Sequence, residues 1–396
     1  MTQRYITFAN YKRDLPLLNS LYSEVSGSRI TLRLLREAGS DLPKTKLWVD
    51  AEIDGLHFPE VFKAPEKGYK KYNKYIQQFR NARQLVESHD TRTVSDFVKS
   101  VLDSIMEAAS GLTNLGWVSV PQLPYIPGGS RNRVNRLMAE SSLKWRALQS
   151  RPPRLILPVI FAKQRGQTDS KTTRSEKVKL AYTCYEASGA DGLWVVDSEL
   201  DDHADNKVLE NHRFPGIIHF HEELNSALPS DAVSIAGPYW GLNLVLWTRR
   251  LVRFPAVPIG STYRYAIPGR DPKSRAAGIR VAVPPLKRLV NEAALRPWLQ
   301  DALRKLDKAD PTYPDLSLLA KRMPVTNQRA REDVASFYRD WLTRIESTPT
   351  VGRALTLYQD FSAAFVLGNR LKQFDKTMED VPDPAIIAKQ LMVNCL

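Results

Sequence analysis

Three segments decide the fold: the run Leu155-Ile-Leu-Pro-Val-Ile-Phe-Ala162, a helical pattern over 176–188, and the run Gly192-Leu-Trp-Val-Val-Asp197. Both runs are continuously apolar rather than alternating, as expected of strands buried on two faces. Gly189 ends the helical pattern and Gly192 opens the next run, the turn chemistry of a helix exit feeding a strand. Strand, helix, strand in that order is the unit of a parallel sheet. Working outward, further strand-like runs fall at 5–10, 47–53, 117–123, 233–237, 256–261 and 279–283, with helical patterns at 94–109, 133–148, 215–227 and 242–252. Eight strands alternating with helices over about 280 residues match a (β/α)8 barrel of TIM type. An open doubly wound sheet is the runner-up; strand count favours the barrel, so the fold class is α/β. Beyond 285 the patterns at 286–306, 316–322, 330–345, 351–367 and 385–393 are helical. The expected organisation is a barrel over 1–285, with a basic-aromatic insertion near 58–92, and an α-helical C-terminal extension over 286–396.

The 396 residues carry 57 Lys and Arg against 43 Asp and Glu, a formal charge of +14 on an ordinary globular composition. The excess is uneven. Residues 61–155 hold sixteen basic and seven acidic side chains, a balance of +9, whereas the chain from 287 onward is only +3. Within the basic quarter, Lys67, Lys70, Lys71, Lys74 and Arg80 interleave with Tyr69, Tyr72, Tyr75 and Phe79. Cations neutralise phosphates and aromatic faces stack on unpaired bases. The same spacing also describes a helix whose aromatic stripe packs on the body while its lysines face water. Both readings stand on the sequence alone. The two cysteines, Cys184 and Cys395, exclude a disulfide framework and a four-cysteine zinc site. There is no apolar run of signal-peptide or membrane-span length, so a cytoplasmic location and no membrane partner are expected.

Carboxylates gather at two expected strand ends. Asp50, Glu52 and Asp54 alternate and, in a continuing strand, share a face. Asp197 and Glu199 close the run at 193–197 and precede Asp201 and Asp202. Barrel active sites form at the C-terminal strand ends, so Asp197, Asp50, Glu199 and Glu52 are the candidate catalytic acids, with Asp50 and Asp197 expected to face one pocket. Gln122, Tyr125, Gln164, Tyr239, Trp240 and Tyr263 also follow strand ends and could bind a planar, polar-edged substrate. Lys67, Lys70, Lys71, Lys74, Arg80, Arg131 and Arg133 are the candidate nucleic-acid contacts. The stretch 167–177 reads as a polar loop at the same face. His219 and His221 diverge on a helix, and no metal site is expected. No dinucleotide fingerprint, phosphate-loop lysine or nucleophile elbow occurs, so no cofactor is expected.

From 117 to 270 the order of elements resembles the tRNA-guanine transglycosylase superfamily, including relatives that insert 7-deazaguanine bases into DNA. The resemblance lies in 117–125 followed by an Arg/Asn-rich helix, in 155–162 followed by Gln164-Arg-Gly166, and in Ser188-Gly-Ala-Asp-Gly-Leu-Trp-Val-Val196. The strands at 233–237 and 255–261 complete it. It implies a (β/α)8 barrel and base exchange at an N-glycosidic bond. The chain departs from that family at its zinc site of three Cys and one His. Ser261, Thr262 and Tyr263 also stand where the family's nucleophilic aspartate follows a strand, and Gln122 stands where its other aspartate lies. Asp197 or Asp50 would then supply the acid.

Three function classes follow. One is a barrel enzyme acting on a nucleobase or nucleotide in DNA or RNA, transglycosylase-like in chemistry. The second is a metal-dependent or carboxylate-pair hydrolase. The third is a catalytically degenerate nucleic-acid-binding component with protein partners in a larger assembly.

Overall fold

The computed structural model describes residues 3–57, 67–87, 90–126, 129, 131–161, 171–197, 213–239, 241–259, 279–323, 325–372 and 384–396. Eight parallel strands close into a barrel in chain order. They are β1 (Gln3–Ala9), β2 (Val25–Thr31), β3 (Leu47–Asp50), β4 (Leu115–Ser119), β5 (Arg154–Phe161), β6 (Gly192–Asp197), β7 (Val233–Ala236) and β8 (Phe254–Pro258). The barrel is therefore as expected, but one strand is not where the sequence put it. β2 has the sequence Val-Ser-Gly-Ser-Arg-Ile-Thr, too polar to stand out. The run expected as the eighth strand forms β9 (Arg280–Val283), which pairs antiparallel with β10 (Arg288–Asn291) outside the barrel.

The interior face can be followed around the ring by register. Phe8 lies beside Arg29, Arg29 beside Trp48, and Trp48 beside Trp117. Trp194 lies between Pro158 and Ile235. Phe8, Trp48 and Trp194 meet inside with ring centroids 5.3–5.4 Å apart, so the barrel is a packed core rather than a pore. The two central indoles find acceptors, as buried Trp usually does: Trp48 Nε1 donates to Ser119 Oγ at 2.9 Å and Trp194 Nε1 to the Gly237 carbonyl at 2.6 Å, whereas the buried Trp117 Nε1 has no partner among the described residues. Gly27 is the residue that admits Trp117, because a Cβ there would lie 2.7 Å from the indole ring.

The helices that position the site are α1 (Leu15–Leu21), α2 (Leu32–Ala38), α3 (Lys67–Ile76), α4 (Gln84–Glu87), α5 (Thr91–Ala108), α6 (Asn132–Ala147), α7 (Lys171–Ser188), α8 (Arg213–Ala227) and α9 (Leu242–Thr248). The start of α7 corrects the loop expected over 167–177, since 171–177 is helical. After the β9–β10 hairpin come α10 (Glu292–Lys305), α11 (Tyr313–Lys321), α12 (Asn327–Ser347), α13 (Arg353–Lys372) and α14 (Pro384–Val393). The hairpin, α10 and α11 share an apolar cluster of their own around Val283, Trp298, Leu299 and Leu316. Helix α12 docks on the barrel. Tyr338 Oη donates to Asn243 Oδ1 at 2.9 Å, the Ala335 carbonyl accepts from Tyr22 Oη at 2.7 Å, and Arg331 forms a buried ion pair with Asp14. Among the described residues, no helix is long and apolar enough to cross a membrane.

Candidate active site

In the missed strand β2, Arg29 meets the C-terminal end of β3 and the residue after β1. Arg29 is fully buried, with its guanidinium 5.0 Å over Phe8 and 4.9 Å over Trp194. A cation can sit there only if its donors are satisfied. Nε donates to Asp50 Oδ2 at 3.0 Å, the terminal nitrogen NH2 donates to the same oxygen, and NH1 donates to Asn10 Oδ1 at 3.1 Å. Asp50 Oδ1 accepts the Glu52 amide at 3.2 Å. The Asp50 carboxylate is thus held on both oxygens by its own protein.

Glu52 is built differently. The strand ends at Asp50 and the chain turns, with Glu52 at φ +51°. That left-handed conformation is uncommon for a side chain other than glycine and is worth attention at a strand end. Asp54 then opens a short 3-10 turn, Asp54–His57, and is buried. The expectation that Asp50, Glu52 and Asp54 share one strand face is therefore corrected: there is no strand beyond Asp50 to align them. Burial raises the Glu52 carboxyl above the ordinary glutamate range, against the pull of Arg29 and Arg33 and a hydrogen bond from the Thr31 hydroxyl. Its carboxylate lies 3.8 Å from Arg33. Thr31 and Arg33 belong to the junction of β2 and α2, where Thr31 Oγ1 caps the helix by accepting the Leu34 amide at 3.0 Å.

The basic-aromatic helix α3 lies on this same turn. Tyr72 Oη donates to the Glu52 carbonyl at 2.7 Å and Tyr75 Oη donates to the Ala51 carbonyl. Tyr75, Phe79 and Phe97 continue the packing edge to face. Tyr72 and Phe79 are buried and Tyr75 half-buried, so these three anchor the helix rather than present stacking faces, while Lys71 and Lys74 are exposed; the Tyr69 side chain lies outside the described residues. Lys67 and Lys70 are in the helix, with side chains outside the described residues. Arg80 is exposed, 3.9 Å from Asp96. Arg131 and Arg133 lie at the start of α6, after β4, and Arg133 is exposed.

The other expected site residues fall elsewhere. Asp197 is buried, and its amide donates to Tyr239 Oη at 2.6 Å. Trp194 points inward, so Asp197, three residues on, belongs to the opposite face. Its register neighbour Phe161 confirms the side: it packs on Phe220 of α8 at 5.3 Å and under Lys177 of α7 at 4.8 Å. Asp50 and Asp197 therefore do not face one pocket. Tyr239 is buried with its hydroxyl engaged, and burial pushes its phenol well up. It offers no face to a substrate. Gln122 is also spent within the protein. Its amide donates to the Pro121 carbonyl at 2.8 Å and the Asn135 carbonyl at 3.0 Å, and its oxygen accepts from Tyr125 Oη at 2.6 Å. Gln122 and Tyr125 are structural, locking the β4 end to α6. Glu199, Gln164, Trp240 and Tyr263 lie outside the described residues, as do Asp201 and Asp202. His221 is buried and His219 exposed, as their helical spacing implies. Among the described residues no group of three His, Cys, Asp or Glu could hold a metal ion. Sequence reasoning missed Asn10, Arg29 and Arg33. The available signal was an arginine in a short run, Ser28-Arg-Ile-Thr31, ending in a helix cap.

No known protein family matches the chain, and no curated protein sequence matches it significantly. Among solved structures, a probable tagatose 6 phosphate kinase from Sinorhizobium meliloti 1021 is similar at TM-score 0.35 and 10% identity, over 99% of this chain and 97% of that one. A likeness at that level adds nothing to a barrel already traced strand by strand. What survives of the transglycosylase resemblance is the barrel.

Proposed function

We propose that the chain is a barrel enzyme acting on a nucleotide within a nucleic-acid strand. Glu52 is its proton-transferring carboxyl, the Arg29–Asp50 pair the fixed charge beside it, and the lysine face of α3 the grip on the strand. The observation that carries this reading is the placement of Glu52: at the C-terminal end of a barrel strand, in a left-handed turn, with its carboxyl shifted toward the neutral form. A carboxyl shifted in that direction suits general acid–base work near neutral pH. The grip is supported by the two tyrosine hydroxyls that bind α3 to the backbone of this turn. Lys71 and Lys74 are exposed on that same helix.

The test uses labelled single-stranded DNA and RNA 20-mers. Mass spectrometry after incubation should find a base or bond change with the wild-type chain. Glu52→Gln should lose about a hundred-fold or more of that rate with binding nearly unchanged. Replacing Lys71 and Lys74 together by Ala should weaken binding and flatten its salt dependence by about 1.4 in log–log slope. Salt-independent binding would remove the grip, and two unaltered oligonucleotides would remove the enzyme. Salt-dependent binding without chemical change would instead support a non-catalytic nucleic-acid-binding component. The full engagement of Asp50 by Arg29 favours that second reading. A hydrolase using carboxylates from β3 and β6 across the mouth loses its second member, because Asp197 belongs to the outward face.

A further inference from the structure

Away from the barrel mouth, a cavity of about 490 Å³ opens between the β9–β10 hairpin, α11 and α12. That is the size of a small-molecule site. Its lining includes Pro284 and Pro285 and the rings of Phe337 and Trp341, which stack at 5.7 Å and 23°. Lys287 ends the hairpin turn in the left-handed region, at φ +51°. This turn brings its ammonium 5.8 Å over Phe337 and 5.6 Å over Trp341.

The charges lining the cavity are unequally matched. Asp333 pairs with Arg329 at 3.1 Å, Asp340 with Arg339 at 2.6 Å, and Arg344 with Asp360. Lys287 and Arg322 also line it, and neither has a carboxylate partner among the described residues. The lining as a whole is balanced, three cations against three carboxylates, but once those pairs are closed by charges outside it, Lys287 and Arg322 meet the carboxylate of Asp315 alone. An apolar lining with stacked aromatic rings and two cations outside any ion pair complements a flat anion.

We propose that this cavity is a second binding site, for a small planar aromatic carboxylate. The ring lies between the proline pair and the Phe337–Trp341 stack, and the carboxylate meets Lys287 and Arg322. Burial lowers the Lys287 amine from its ordinary range, with Asp360 opposing. A bound carboxylate would hold the ammonium charged where burial disfavours it.

The probes are 2-naphthoate and its neutral isostere 2-naphthamide, titrated calorimetrically into the full chain. 2-Naphthoate should bind saturably, and the amide at least about ten-fold more weakly, the scale of a charge-assisted hydrogen bond. Lys287→Met should cost 2-naphthoate a similar factor. If that variant folds poorly, the acid–amide comparison on the wild-type chain decides. Hydrogen-exchange protection on binding should fall on 313–321 and 327–347. Equal affinity for acid and amide, no saturable binding of 2-naphthoate, or protection elsewhere would each overturn the site. None of these readouts depends on the chemistry proposed for Glu52.

Discussion

The ends of β3 and β6 carry nearly the same words, Leu47-Trp-Val-Asp50 and Leu193-Trp-Val-Val-Asp197. Both tryptophans point into the barrel and touch each other, with centroids 5.4 Å apart. One valine separates the two outcomes. Trp48 and Asp50 are two residues apart, so the strand's alternation puts both inside, where Asp50 meets Arg29. Trp194 and Asp197 are three apart, so the aspartate belongs with Phe161 on the face covered by helices. An acid at a strand end is thus only half a signal. Its parity relative to a side chain known to point inward is the other half, and here it assigns the two carboxylates to different layers.

The largest effect that would sharpen this contrast is expected at Arg29. Arg29→Met keeps most of the side-chain stem against Phe8 and Trp194 but strands Asp50 in the interior. Breaking a buried pair from one side typically costs about 3–5 kcal/mol. Urea unfolding should show that loss, and Arg29→Met with Asp50→Leu should recover much of it, since no charge is then buried alone. A single variant as stable as wild type would mean that Asp50 is solvated, and the inward assignment of β3 would fail.

Legibility in the sequence followed the same physics. The strands with continuous apolar runs, such as 155–161, were readable because burial on both faces demands them. β2 was not, because its interior positions are a glycine that admits Trp117 and an arginine that pairs with Asp50. Neither residue type signals a strand, yet one fits the barrel packing and the other builds the site. The run at 279–283 reads as a strand and forms one, but outside the barrel, since apolar content does not say which sheet a strand joins. The tyrosines of α3 fitted both a stacking surface and a packing stripe. Only the hydroxyls of Tyr72 and Tyr75 on the 51–52 backbone separate the two.

At the β6 end a smaller effect is expected. Tyr239→Phe removes the acceptor for the buried Asp197 amide, and an orphaned buried donor costs about 1–3 kcal/mol. The loss should appear in unfolding experiments and leave Glu52-dependent turnover unchanged. A selective loss of turnover at preserved stability would tie β6 back to the mouth and break the contrast.

The smallest effect is a pH dependence carried by Glu52. Burial is the leading cause of the rise in the Glu52 carboxyl, so the folded state holds that proton more tightly than the unfolded chain, whose glutamate titrates near 4.5. Stability from this group is therefore fully present below 4.5 and is lost as pH rises through the higher folded value, with a slope no steeper than about 1.4 kcal/mol per pH unit. Glu52→Gln cannot ionise and escapes that loss. The stability of Glu52→Gln relative to wild type should thus increase between pH 4 and neutrality, then level off. A flat difference across that range would show that Arg29 and Arg33 outweigh burial, leaving Glu52 an ordinary carboxylate.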